Sequence, residues 1–233
     1  MFLASLRSSF QQSFPDASME YLDNAGLNDL PHLKSFDIVV LPASHGEITP
    51  YEYFFKGRPA TNIQAYAQRG AVAAFCSGAY GLLDRSSYRY SNGEIKNYRG
   101  YTSLLETKGD GPVDDAAGGL RLLSVFAGVA GSGPIKLCYD GGPGFELTPD
   151  IFPLARFANG RGAVVAQNTG EGVVVGFGAL ADVRAAHLPQ RDPAWQDVRE
   201  ELKRTEAGQM SIWDQAMDIL ARKKIPASCF DIS

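Results

Sequence analysis

Cysteine and histidine are scarce in these 233 residues, three of each, and their placement excludes a good deal. Cys76, Cys138 and Cys229 are an odd number, set too far apart for a CxxC metal or redox motif. Together with His32, His45 and His187 they show no metal-ligand spacing, so neither a metal nor any other cofactor is expected. Such cysteine usage fits a reducing compartment, and we expect a cytoplasmic protein. Long apolar runs are missing as well. None approaches the roughly 20 residues that span a bilayer, which argues against a membrane partner. Runs of one charge are also absent: with a net charge of −4 and scattered Lys and Arg, the chain is not expected to bind nucleic acid. The first residues, MFLASLRSSFQQSF, place Arg after the apolar residues and offer no clear cleavage site, so they do not read as a leader. Phe2, Leu3, Leu6, Phe10 and Phe14 instead recur near helical spacing, the pattern of an amphipathic helix.

What the chain does contain is enough apolar material, 45% of its residues, for one sizeable core, and a single domain over residues 1–233 is expected. Its organising stretch is AVAAFCSGAYGLL, Ala71 to Leu83. Ala71 to Phe75 suits a strand buried on both faces, and the small residues after Cys76 read as the start of a helix. A strand turning sharply into a helix thrusts its junction side chain above the sheet, beside free backbone N–H groups. A thiol there feels the positive end of the helix dipole, and such settings lower a cysteine pKa from about 8.5 toward about 3.5–7.5. The same N–H groups can hold an acyl oxyanion. Cys76 is thus a candidate nucleophile, or else a small buried residue that closes a strand.

Elsewhere the pattern reads as α/β. Met19 to Leu22 is a plausible short strand, and Phe36 to Pro42 a convincing one, opening into the polar stretch Ala43, Ser44, His45, Gly46, Glu47. Loops at the carboxyl ends of parallel strands are where open α/β sheets bind ligands. A helix is expected over Thr61–Arg69, with Thr61 as N-cap and Gly70 as stop. Strand, helix, strand, helix from Phe36 to Leu83 argues for a parallel sheet. Such a fold normally opens on a strand, so either a first strand lies outside this sequence or the sheet is completed another way. Residues 84–119 form a tyrosine-rich, hairpin-rich insertion around the Ser91-Asn92-Gly93 turn. Leu120 to Ala130 suits a strand or a buried helix, and Ile135 to Tyr139 a strand before the glycine turn at Asp140 to Gly144. Gly162–Gln167 and Gly172–Phe177 read as a hairpin, and residues 192–222 as C-terminal helices broken between Arg204 and Met210.

VVLPAS at Val39–Ser44, FCSGAYG at Phe75–Gly81, SVFAGVAGSGP at Ser124–Pro134, YDGGPGF at Tyr139–Phe145, LARFANGRGAVVA at Leu154–Ala166 and GEGVVVGFGAL at Gly170–Leu180 together resemble the N-terminal domain of large biotin-protein ligases. That domain belongs to the class I glutamine amidotransferase-like superfamily. The resemblance implies a flavodoxin-like three-layer sandwich, a mostly parallel sheet with helices on both faces. It implies Cys76 at the nucleophile elbow, with Ser77 and Gly78 at the oxyanion hole. A second oxyanion donor is implied in the Ala43–Gly46 loop, and Asp140, Gly141 and Gly142 close to the site. It does not imply biotin ligation, since no biotinyl-adenylate motif is present.

Catalytic members carry a His-x-Glu pair after the last core strand, because an imidazole must reach the thiol and a carboxylate must fix its tautomer. Here Ala179 stands where that histidine is expected. His45, with Glu47 beside it, and His187, with Asp182 before it, are the replacement candidates for a base. Two functions follow: a degenerate binding or regulatory module for a small molecule or a protein, or a thiol-dependent amidase, hydrolase or transferase acting on an amide or ester through Cys76 and a non-standard histidine. A redox-sensing cysteine is a third, narrower reading.

Overall fold

The computed structural model describes residues 2–44, 49–99, 102–114, 119–127 and 133–226. The helical spacing at the start is realised as α1 (Phe2–Ser13), which buries Leu6 and Phe10. Residues 14–23 that follow have no regular structure, so Met19–Leu22 is not the strand its apolar residues suggested. Asp23 accepts from the Gly26 N–H at 2.9 Å and caps α2 (Asn24–Asn28), and Asp29 in the same way caps α3 (Leu30–Leu33).

Next come β1 (Ile38–Leu41), α4 (Thr49–Phe54), α5 (Arg58–Ala67) and β2 (Ala71–Phe75). Helix α5 begins four residues earlier than the Thr61 cap predicted, because Pro59 suits a first helical turn and Gly57 adopts the positive φ of 69° that precedes it. After β2, α6 (Ser77–Tyr80) is a single turn before β3 (Leu83–Arg89), β4 (Ile95–Arg99) and β5 (Leu105–Gly111). The remaining strands are β6 (Arg121–Ala127), β7 (Ile135–Tyr139), β8 (Gly144–Phe145), β9 (Phe152–Phe157), β10 (Gly162–Thr169) and β11 (Gly172–Phe177). Of the apolar stretch Leu120–Ala130, the described part is therefore strand. The chain then forms α7 (Gln196–Arg222), one helix of 27 residues where two were expected. Gly208 does not break it. A Cβ there would lie 2.6 Å from Cγ1 of Ile135, so the glycine lets α7 sit close on β7.

The eleven strands among the described residues join one curled sheet with the order β1-β2-β11-β10-β8-β5-β3-β4, extended by β9 on β10, β6 on β9 and β7 on β6. The sheet is mixed rather than mostly parallel. Only β1 with β2, β2 with β11 and β3 with β5 pair in parallel. Short turns such as Asn92-Gly93 and Gly170-Glu171 send the chain straight back on itself, and such hairpins can only be antiparallel. The hairpin-rich residues 84–111 extend this same sheet through β8.

Strand β2 divides the core with the period of two that a doubly covered strand must show. Ala71, Ala73 and Phe75 join a cluster with α1 and α7, while Val72 and Ala74 join one with α4 and α5. At the centre of the first cluster Phe75 stacks on Phe177 at 4.2 Å, and Trp213 of α7 meets Phe10 of α1 edge-on at 5.4 Å. No described helix is long and apolar enough to cross a membrane.

Candidate active site

Four backbone segments converge where β2 ends. Cys76 takes φ 49° and ψ −113°, a conformation that costs a residue bearing a Cβ about 1–3 kcal/mol. Its N–H donates to Phe177 O at 2.8 Å, tying the turn to the end of β11. Two glycines permit the close approach. A Cβ on Gly78 would lie 2.5 Å from Leu41 O at the end of β1, and one on Gly142 would lie 2.2 Å from Gly178 O and 3.2 Å from the Cys76 Cα. Side chains at either place would push the segments apart. The structure thus brings Ser44, Cys76, Ser77, Gly78, Asp140, Gly141 and Gly142 together.

The chemistry there differs from the expectation. Cys76 is only 6% exposed, and its Sγ–H donates to Asp140 O at 3.3 Å. Burial pushes the thiol up to about 12, and the nearby Asp140 adds to the rise, whereas the Ser77 N–H pulls the other way. A lowered pKa was expected from a helix dipole. A single turn has little dipole to offer, and desolvation of the thiolate wins.

The oxyanion side is likewise occupied from within. In the Ala43–Gly46 loop, from which the resemblance expects the second donor, the Ser44 N–H donates to Ser77 Oγ at 2.6 Å, and the two serine hydroxyls lie 2.9 Å apart. Around this point stand four tyrosines that the sequence reading did not assign to the site. Tyr80 donates to Gly141 O at 2.9 Å and Tyr139 to Gly142 O at 2.8 Å, so both pin the glycine turn. Tyr51 donates to Pro42 O, and Tyr88 packs against Gly141, whose φ is 79°. Burial raises the pKa of all four tyrosines, and their nearness to Cys76 adds to the rise. Their signal was present as the aromatic spacing of 80–90 and the Tyr beside Asp140. Nothing in that spacing showed which way the rings would fold.

Neither of the two described histidines, His32 and His187, is brought to the thiol. His45, Gly46 and Glu47 lie outside the described residues, as does Cys229. His32 sits on α3 with its ring 3.1 Å from the Glu20 carboxylate. His187 closes a 3₁₀ turn over Ala185–His187, where its Nδ1 lies 2.7 Å from Ser5 Oγ of α1 and accepts from the Arg184 N–H at 3.2 Å. Burial holds it below the usual histidine range. It fastens α1 to the body, a structural task. Ala179, at the position where the sequence resemblance expects a histidine, is completely buried.

No model of a known protein family matches this sequence, and no curated protein does. Solved structures do match. A glutamine amidotransferase aligns over 84% of this chain and 92% of its own at 16% identity, with a TM-score of 0.51. The likeness is one of fold. A glutamine amidotransferase of Thermotoga maritima aligns over 91% of this chain and 90% of its own, at 16% identity and a TM-score of 0.53. A cytoplasmic protein of Salmonella typhimurium aligns over 95% and 88%, at 13% identity and a TM-score of 0.53. The chain therefore has a glutamine amidotransferase-like α/β fold.

Proposed function

We propose that this chain is a degenerate glutamine amidotransferase-like domain, a binding or regulatory module that keeps the elbow of the fold without its hydrolytic chemistry. The observation that carries this reading is the state of Cys76: buried, uncharged at neutral pH, hydrogen-bonded to Asp140 O, and with no imidazole among its described neighbours. A nucleophile without a base loses several orders of magnitude when the groups of a triad act as a unit. The ligand of such a module meets the ends of β1 and β2, where Ser44, Ser77 and the Asp140–Gly142 turn offer hydroxyl and backbone groups to the polar head of a small molecule or of a protein segment. The cysteine pattern suits the cytoplasm.

One feature favours a second reading, a thiol-dependent amidase, hydrolase or transferase. The left-handed φ of Cys76 is retained although a buried, uncharged cysteine gains nothing from it. That reading needs a base, and His45 is the residue left to supply it.

Alkylation by iodoacetamide as a function of pH separates the two, with Cys76→Ser subtracting the other cysteines. We expect Cys76 to react more than tenfold more slowly at pH 7.5 than free cysteine, with no glutamine hydrolysis above background. A thiolate that forms below about pH 8.5 would overturn the module reading, and its loss in His45→Ala would name the base.

A further inference from the structure

The four tyrosines around Cys76 are not held alike. Tyr51, Tyr80 and Tyr139 are buried, and their hydroxyls donate to the backbone carbonyls of Pro42, Gly141 and Gly142 respectively. Moving any of these three breaks a hydrogen bond and strips a carbonyl of its donor. Tyr88 is held differently. It is only partly buried, and it meets other rings, Tyr80 edge-on at 6.1 Å and Tyr90 edge-on at 5.1 Å.

The backbone around Tyr88 leaves its ring room to move. Near the end of β3, the residue is paired with Gly111 of β5, and its hydroxyl comes down on Gly141, where a Cβ would lie 2.9 Å from it. Two glycines thus stand where side chains would otherwise clasp the ring. On the other flank β4 sets Lys96 opposite Tyr88, but the ammonium lies over the Tyr98 ring at 4.9 Å and 3.8 Å from the Glu52 carboxylate. Gly141 in turn lies between Asp140, whose carbonyl accepts from the Cys76 Sγ–H, and Gly142, which packs on the Cys76 Cα. The thiol and Tyr88 therefore touch the same three-residue turn, and of the four rings Tyr88 is the one that reaches solvent. A partly exposed side chain turns between staggered rotamers with no movement of the backbone.

We propose that Tyr88 is the gate of the Cys76 site: its ring closes the solvent side of the Asp140–Gly142 turn and swings outward about its Cα–Cβ bond to admit a ligand. The gate presupposes that this turn is where the module binds, as proposed above. Tyr51, Tyr80 and Tyr139 are the fixed walls, and Tyr88 decides when the turn is reached.

Iodoacetamide alkylation of the full chain tests it, with Cys76 and Cys138 followed separately by peptide mass spectrometry. Tyr88→Ala should speed modification of Cys76 at least tenfold over the wild type at each pH from 7 to 10. Cys138, completely buried in the same core cluster, should stay as slow as before. Tyr88→Phe keeps the ring and should remain within threefold of the wild type. The proposal falls if the gain with alanine is smaller than tenfold, or if phenylalanine opens the site as far as alanine does. Should alanine speed both thiols, the core has loosened and the milder Tyr88→Leu decides: Cys76 alone must respond, and any other result overturns the gate. The module reading fails separately, through a wild-type thiolate that forms below about pH 8.5, whereas the gate is read from the ratio of variant to wild type at a single pH.

Discussion

At the scale of single residues, Cys76 joins two facts that rarely coincide, a strained backbone and a side chain with no evident chemical task. The φ of 49° with ψ −113° suits glycine, and the strain is of order 1–3 kcal/mol for anything else. Glycine normally costs about 0.5–1 kcal/mol relative to alanine through the freedom it has to lose. At this position the order should reverse. Cys76→Gly is expected to be more stable than Cys76→Ala by about 1–2 kcal/mol in urea unfolding, since both lose the sulfur and only glycine escapes the strain. Equal stabilities would show that the turn relaxes. The residues of this turn were legible beforehand because small residues after an apolar run have few other uses. The thiol's ionisation was not legible, since burial depends on Tyr80, Tyr139 and the Asp140 turn arriving from distant parts of the chain.

Among the elements, the turn after β7 and helix α1 are the most exposed to single changes. Gly142→Ala places a Cβ 2.2 Å from a backbone oxygen, which no rotamer can relieve, so a loss of at least about 1–3 kcal/mol is expected in chemical denaturation. The Asp140–Gly142 turn should also withdraw from Cys76, which would make the thiol more open to alkylation. Helix α1 is held by Phe10 against Trp213 and Phe75, by Leu6, by Ser5 and Ser9 donating to Asp182 O, and by the indole N–H that donates to Ser13 Oγ at 2.8 Å. Trp213→Ala should lower stability by about 3–5 kcal/mol and speed amide exchange in α1 before that in β2. Elements with a strict local period were readable from the sequence, the β10–β11 hairpin and the N-terminal helix among them. Those decided by contacts made later were not. The stretch between Arg204 and Met210 reads as a break until Gly208 is placed against Ile135, and Met19–Leu22 reads as a strand until no described neighbour pairs with it.

For the whole molecule, the α/β character was legible but the mixed direction of the sheet was not, because strand polarity depends on which turns close locally and which strands cross over. Stability should depend on pH through a group the fold has enclosed. Asp182, 1% exposed and with one carboxylate oxygen unpartnered, is raised by burial from 3.8 to about 7. The native state therefore holds a proton that the unfolded chain has released. Its contribution is complete below about pH 4, declines as pH rises from 4 to 7, and is gone above that, a change on the order of a few kcal/mol. His187, pushed down by burial, works in the opposite sense below its ordinary range. Melting temperatures measured from pH 4 to 8 should fall, and Asp182→Asn should flatten the profile and raise the melting temperature at pH 8. A profile unchanged by Asp182→Asn would assign the dependence elsewhere.

The place of β2 between β1 and β11 also sets a timetable. Ala71 pairs with Val173, which a ribosome adds about a hundred residues later. At about 5–20 residues per second the strand waits roughly 5–20 s with one apolar edge unpartnered. Chains cut before Gly172 should accordingly be open to protease throughout β2, and during synthesis the Ala71–Phe75 run needs a chaperone's cover until its last neighbour is made.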